Sequence, residues 1–454
     1  MAVIIPFKGL RYNPGIVKNL ADVVTPPYDV IDRDAQEAYY RKNPYNIIRL
    51  EYGRVCDSDG EGNNRYTRAA ADYTSWLKEK VLAPEESHAL YLYEHEFTVN
   101  DSRLVRTGLT CAVKLEPYEK GIILPHEETM PKHKADRLAL MHACRANFSP
   151  IFSLYADPET AVDDTLRDAA GKRPPDISFT DENNEAHRLW AIFDTAVIGR
   201  VQELMLDKRV FLADGHHRYE TALLYKKERD MEAEGGSLLD SYTTEPAYNY
   251  VMMTLVNLYD PGLVILPAHR LIKNVSAADV DDLPGRLSEN FTLEEFPLAQ
   301  QGENFMDFLR ELAERGAALP GERRHPHVFG VYLGEGRLYF ATLKKEVDAA
   351  KMMPPGKSPE WQSMDAPVLH SLIIERLLGV CGELRARGDH ITYSREEEGA
   401  LTAVDRGEYQ AAFFLNPTLV EEVTSVAANG EVAPQKSTYF YPKLISGLLI
   451  YSLD

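Results

Sequence analysis

Arg209-Val210-Phe211-Leu212-Ala213-Asp214-Gly215-His216-His217-Arg218-Tyr219-Glu220 changes character twice within one short stretch. Val210 to Ala213 is an apolar run of strand length, stopped by Asp214-Gly215. From Arg218 the spacing of Tyr219, Ala222, Leu223 and Tyr225 predicts a helix that ends before Gly235-Gly236. Strand, tight turn and helix bring backbone N–H groups and the helix dipole to one point. Asp214, His216, His217 and Arg218 gather at that point. They are groups suited to holding an anion and moving a proton.

The rest of the chain limits what that turn can serve. Its 454 residues carry 50 basic and 70 acidic side chains, a net charge of −20, with 44% hydrophobic and 26% charged residues. This is the composition of a soluble globular protein with a sizeable core. It opposes wrapping nucleic acid or lying on anionic lipid, both of which need a basic footprint. Cys56, Cys111, Cys144 and Cys381 are scattered, without a CxxC pair, and read as buried or semi-buried free thiols. The N-terminus lacks the pattern of a signal peptide, and no apolar run approaches the roughly 18 residues of a membrane span. A cytoplasmic protein is expected.

In chain order, Val3–Phe7 reads as a strand. Thr25-Pro26-Pro27-Tyr28-Asp29 is held extended by its prolines. It either aims Tyr28 and Asp29 at a fixed place or is an edge connection in which Asp29 or Asp32 caps a helix over 33–42. Residues 47–51, Ile-Ile-Arg-Leu-Glu, read as a strand ending in charge at Glu51. Residues 64–79 have helical spacing, and 89–98 with 106–115 alternate as neighbouring strands. Residues 126–138 form a second dense region. Pro131 precedes a helix whose Leu138, Met141 and Cys144 share a face, crowding Lys132, Lys134 and Arg137 at its start. Cations there oppose the helix dipole, which points to an anion site or to a solvated basic face. His126-Glu127 suggests a metal ligand only weakly, because the zinc spacing His-Glu-x-x-His is missing.

Further on, 187–193 reads as a strand, 195–206 as a helix and 232–246 as a linker. Residues 250–258 and 263–267 read as strands, the second delivering His269-Arg270. A helix is expected near 304–315 and a hairpin around Gly334-Glu335-Gly336. Residues 365–378 read as helix and 444–451 as an apolar strand. Lys436-Ser437-Thr438 and Lys443 offer ammonium and hydroxyl groups suited to phosphate oxygens, or else belong to a tied-down terminal strand. One pocket collecting several of these basic clusters would be a positive cavity inside an acidic shell. Asp214 and Asp29 could then serve acid–base chemistry or hold a divalent ion between phosphates. No P-loop, kinase catalytic loop or Rossmann glycine fingerprint is present.

These motifs resemble a bacterial family known as domain of unknown function 1015, nearly end to end. The match rests on residues 25–31, on His126-Glu127-x-Thr129 with Lys134-x-Asp136-Arg137-Leu138, on 213–219, on Pro267-x-His269-Arg270 and on 434–443. The turn at Asp214 is similar to the phosphate-binding turn of the ParB/sulfiredoxin superfamily, which includes free serine kinases. The resemblance implies an α+β fold: a mixed-sheet ParB/sulfiredoxin-like core in 1–245, heavily elaborated, and an α+β part in 246–454 completing the same active site. It implies a phosphotransferase converting L-serine to O-phosphoserine, with pyrophosphate or a nucleoside diphosphate as donor and Mg²⁺ assisting. Asp29 or Glu51 would be the base, with Asp214 and His217 also catalytic. His216, Arg218, His126, Lys132, Arg137, Lys436, Ser437, Thr438 and Lys443 would meet phosphates. Tyr28, Tyr219, His269 and Arg270 would meet substrate. The alternatives are a nucleotide-dependent ParB-like regulator and a phosphohydrolase with metal on Asp214, His216 and His217. Adjacent histidines in a turn point apart, which disfavours the latter.

Overall fold

The computed structural model describes the chain except residues 100, 128, 130, 233–241, 300–301, 318–325, 383, 385–387 and 435 and the side chains of 131 and 132. The expected linker therefore lies largely outside the described residues. The chain forms two compact units: residues 1–125, 129–264 and 442–454 make the first, and 126–128 with 265–441 the second. It is a mixed α/β protein with a mixed sheet and many helices. Among the described residues no helix is long and apolar enough to cross a membrane.

The first unit is built on a nine-stranded sheet. Its strands are β1 (Ile4–Ile5), β2 (Leu90–Val99), β3 (Ser102–Lys114), β4 (Ile123–Leu124), β5 (Ile151–Tyr155), β6 (Ile177–Thr180), β7 (Ala186–Ile192), β8 (Val210–Asp214) and β9 (Tyr250–Asn257). They run in the order β4-β8-β5-β9-β3-β2-β7-β6, with β1 on β3. β8 is antiparallel to β5 and parallel to β4, and β9 is parallel to β5, which makes the sheet mixed. Every residue of β5 and β9 is buried, so these central strands read as continuous apolar runs rather than alternating ones.

Side-chain caps open several helices of this unit. α1 (Arg33–Lys42) starts at Asp32, whose carboxylate accepts from Ala35 N–H at 2.8 Å. α3 (Arg65–Lys78) opens on an Asn64/Thr67 capping box, and α5 (Thr195–Met205) on Asp194. Several expectations are corrected. Residues 47–51 are no strand: Asn46 Oδ1 accepts from Ile48 N–H at 2.9 Å and turns the chain into α2 (Ile48–Glu51). An apolar run that short is ambiguous by periodicity. In α4 (Pro131–Cys144) the buried stripe is Arg137, Leu140, Met141 and Cys144, while Leu138 is only half-buried. α6 starts at His216, not Arg218, and runs to Glu232. Residues 444–450 form no regular strand, because Gly447 at φ +88° breaks the run and only Tyr451–Ser452 pairs regularly. Cys56 and Cys381 are also exposed, while Cys111 and Cys144 are buried, all four as free thiols.

The second unit carries a six-stranded antiparallel sheet. Its strands are β10 (His269–Ile272), β11 (Phe291–Pro297), β12 (Val328–Tyr332), β13 (Arg337–Leu343), β14 (Ile391–Ser394) and β15 (Ala411–Phe414), in the order β11-β13-β12-β15-β10-β14. His269 and Arg270 thus open a strand instead of ending one. The β12–β13 hairpin turns at Gly334-Glu335-Gly336, all at positive φ. Side chains alternate across β12: Phe329 and Val331 join one apolar cluster, Val328 and Tyr332 the other. α7 (Phe305–Gly316) covers the second face, its Phe308 ring stacked 4.4 Å from Phe340.

One turn of the first unit makes stability depend on pH. After β9, Asp260 accepts from Gly262 N–H at 2.8 Å and from Thr107 N–H at 3.1 Å, clamping the turn to β3. Burial of this carboxyl pushes its pKa up to about 6. The unfolded value lies near 3.9, so the folded chain holds this proton longer. The contribution is present below about pH 4 and is lost as pH rises through about 6, a loss of up to about 3 kcal/mol. Urea unfolding across that interval should show this slope in the native chain and a flatter profile in Asp260→Asn.

Candidate functional site

The β8–α6 turn depends on Gly215, whose φ of +98° disfavours any side chain. A Cβ there would stand 2.9 Å from the Arg218 guanidinium nitrogens. That approach exists because Arg218 folds back by one helical turn. Its Nη2 donates to Asp214 Oδ2 at 2.7 Å and its Nη1 to the Pro150 carbonyl at 2.5 Å. The other Asp214 oxygen takes the Lys443 ammonium. None of these three side chains is more than 13% exposed. α6 therefore begins beside a carboxylate clamped by two cations, where its own first N–H groups lack helical partners.

A second set of charges stands close by in the same unit. Arg137 is buried, and its Nη1 donates to the Glu51 carbonyl at 2.8 Å and to Glu51 Oε1 at 3.3 Å. Its Nε and Nη2 donate to Asp136 Oδ2 at 2.8 and 2.6 Å. The guanidinium also lies 4.0 Å from the Tyr28 ring centroid, a cation–π contact. Glu51 is 3% exposed and Oε1 also accepts from the Ser149 hydroxyl at 3.0 Å. Burial works against the Asp136 charge, but Arg137, Tyr66 and Arg65 hold its carboxyl below the usual range. Burial likewise pushes the Tyr28 hydroxyl up to about 12, with Arg137 pulling the other way.

Glu51, Arg137, Ser149 and Arg218 line one cavity of about 40 Å³, backed by apolar Leu140 and Met141. At about 10–15 Å³ per water it has room for a few waters in this conformation. The predicted residues thus converge in part: Tyr28, Glu51, Arg137, Asp214, Arg218 and Lys443 form one charged network within the first unit. It is not the strongly positive cavity expected from the sequence. Each cation meets a carboxylate, including Lys134, whose ammonium sits 2.8 Å from Glu220.

Other predicted residues lie elsewhere. Asp29 is exposed. His216 is buried, whereas His217 packs its ring 5.0 Å from His133. Neither belongs to a metal-holding group among the described residues. Tyr219 is fully buried, and its hydroxyl accepts from Glu116 N–H and donates to the Glu116 carbonyl, the role of a core tether. Both Asp214 oxygens are engaged by cations, so the carboxylate does not fit the role of proton acceptor or magnesium ligand. The Lys132 side chain lies outside the described residues.

Within the second unit, His126 Nε2 is 2.7 Å from the Thr438 hydroxyl, which also donates to Glu127 at 3.3 Å. Ser437 donates to the Pro434 carbonyl, and the Lys436 carbonyl accepts from Arg270 Nη2 at 3.2 Å. Arg270 and His269 are 1% exposed, and His269 Nδ1 accepts from Leu415 N–H at 3.3 Å. Among the described residues these hydroxyls, His126 Nε2 and His269 Nδ1 meet protein partners. Ser149, Asp136, Arg65 and Tyr66 were not among the sequence-predicted site residues. For Asp136 the signal was present, since an acid directly before Arg137 can only be its partner if Arg137 points inward.

Two glycine substitutions separate the turn geometry from general tolerance. Gly215→Ala should destabilise by about 1–3 kcal/mol, because it forces a side chain to positive φ and onto Arg218. Gly199→Ala, at an exposed position of α5 with nothing within 4 Å of the new Cβ, should stabilise by about 0.5–1 kcal/mol. Denaturant unfolding of the two variants checks the opposite signs.

No curated protein matches the chain. Solved structures that resemble it include a conserved hypothetical protein from Pyrococcus furiosus, 13% identical over 71% of this chain and 89% of that one, at a TM-score of 0.32. A free serine kinase in complex with AMP is 14% identical over 70% and 84%, also at 0.32. SbnI with a C-terminal truncation, from Staphylococcus aureus, is 10% identical over 75% and 86%, at 0.33. Scores this low carry no argument about fold or activity. The family model described as protein of unknown function (DUF1015) matches residues 4–367. With that match spanning most of its length, the chain belongs to the DUF1015 family.

Proposed function

We propose that the chain is a phosphotransferase that converts L-serine to O-phosphoserine, using pyrophosphate or a nucleoside diphosphate. The observation that carries the reading is the shared cavity. A buried carboxylate, Glu51, faces the same space as the guanidiniums of Arg137 and Arg218. Phosphoryl transfer asks a protein mainly for positioned cations and one proton acceptor. The substrate identity rests on the sequence resemblance of the Asp214–Tyr219 turn to that of the ParB/sulfiredoxin-like serine kinases.

In this reading the serine hydroxyl oxygen attacks the terminal phosphorus of the donor as its proton passes to Glu51. The bond to the bridging oxygen breaks, and phosphate or a nucleoside monophosphate leaves with the electron pair. Arg137, Arg218 and Lys443, with the first N–H groups of α6, offset charge on the transferred group. Lys443 and Arg218 must loosen from Asp214 to do so, and the water-sized cavity must open. Magnesium would arrive as part of the donor complex. Glu51 is a better base than Asp29 because it lies inside the cationic network, while Asp29 is exposed.

Purified protein with serine and each donor should yield phosphoserine by ³¹P NMR, and the reverse reaction should consume it. Glu51→Gln should lower the rate by about 10²–10⁴ with the fold retained by circular dichroism, and Asp29→Asn should change it little. Absence of product in both directions with every donor would overturn the reading.

A further inference from the structure

Away from the candidate site, β2 and β7 bring His95 and His187 together as directly opposed partners in the antiparallel ladder. Opposed residues project to the same face of a sheet, and the two rings lie 4.3 Å apart between centroids. Both histidines are fully buried. Glu185, two residues before His187, reaches the same place: its Oε2 is 2.7 Å from His95 Nε2. One donor atom from each of His95, Glu185 and His187 lies within 4.8 Å of the other two.

A second observation points to a missing ligand. His187 Nε2 is buried and has no hydrogen-bond partner among the described residues. A buried ring nitrogen without a partner is costly, and native structures rarely tolerate one without reason. The remainder of that ring is fixed. Its Nδ1 is 2.7 Å from the Tyr93 hydroxyl, and the Phe179 ring stacks on it at 4.8 Å. An imidazole held through Nδ1, with Nε2 turned toward a carboxylate but making no hydrogen bond, is the arrangement outer partners give to metal-binding histidines. Asp181 adds a fourth donor. Its Oδ1 accepts from the N–H groups of Asn183 and Glu185, both at 2.9 Å, and its Oδ2 stands 3.5 Å from His187 Nε2.

We propose that His95, Glu185, His187 and Asp181 form a binding site for a divalent transition-metal ion, zinc by ligand type. Two imidazoles and two carboxylates suit zinc in a closed four-coordinate site. Bonds of about 2.0–2.2 Å place tetrahedral donors roughly 3.3–3.5 Å apart, so the four side chains need to draw together slightly. Such an ion ties the Asp181–Glu185 turn and β7 to β2. The role is structural and independent of the phosphotransfer reading. One neighbour opposes it: Arg106 Nη2 is 3.3 Å from His95 Nδ1. As it stands, His95 carries its proton on Nε2 and donates to Glu185. Coordination through Nε2 displaces that proton, returns one to Nδ1 and turns Arg106 off the ring. The two carboxylates offset the charge of the ion.

The test uses the full chain, stripped with chelator and titrated with Zn²⁺, and with Co²⁺ as a spectroscopic probe. One equivalent should bind, with visible Co²⁺ bands of tetrahedral intensity and a Tm that rises with zinc. His187→Gln and Glu185→Gln should each weaken binding by roughly tenfold or more and remove the Tm rise. Glu185 lies at the edge of the cluster, so its variant keeps the test usable if His187→Gln fails to fold. His133→Gln, which alters the ring beside His217, should bind zinc as the native chain does. No stoichiometric uptake, uptake unchanged in Glu185→Gln, or uptake lost in His133→Gln would overturn the proposal.

Discussion

The Asp214 carboxylate, clamped between the Arg218 guanidinium and the Lys443 ammonium, is the contact on which the first unit's charged interior depends. Arg218 reaches it from the next helical turn, Lys443 from a segment 229 residues away in sequence. Both cations are largely withdrawn from water, and breaking a buried pair by removing one partner costs about 3–5 kcal/mol. The clamp therefore fixes the path of the C-terminal segment, and Gly215 fixes the clamp by letting α6 start immediately after β8. A phosphate group would be drawn to the same two cations and to the N–H groups of the helix start. The resting site holds a protein carboxylate where the proposed chemistry needs a substrate anion.

The same economy governs the rest of the network. Arg137 is kept charged in the interior by Glu51 and Asp136, although burial alone would lower its pKa. Asp136 in turn is held by Arg65 and Tyr66. Around the candidate site each cation is matched to a carboxylate, Arg137 to Glu51 and Asp136, and both Arg218 and Lys443 to Asp214. Such matched interiors contribute little net stability. They define positions closely, and a proton acceptor beside two guanidiniums has use for that.

Much of this architecture was legible in the sequence because it rests on local rules. Asp32 announces its helix by capping, helical spacing announces the helix of 65–78, Gly334-Glu335-Gly336 announces its hairpin, and Val210–Ala213 reads as a strand into the tight turn at Asp214-Gly215. What could not be read depends on long-range packing. Residues 47–51 carry no usable period, and the turn held by the Asn46–Ile48 hydrogen bond leads them into α2, where Glu51 is buried. In α4 the choice between Arg137 and Leu138 as the inward residue is settled by tertiary partners, since an arginine is buried only where Glu51 and Asp136 await it. Counting back from Cys144 through Met141 and Leu140 does lead to Arg137, a clue that hydrophobicity alone hides. The pairing of His95 with His187 follows from strand register, which no local pattern specifies.

On the proposed function, the Asp214 clamp is an anion site held shut by its own carboxylate. A crystal structure of the protein with pyrophosphate tests it most directly. The diphosphate should lie at the start of α6, in contact with Arg218 and Lys443, with Lys443 parted from Asp214. A diphosphate bound elsewhere, or none bound at saturating concentration with the Asp214–Lys443 pair intact, would contradict it.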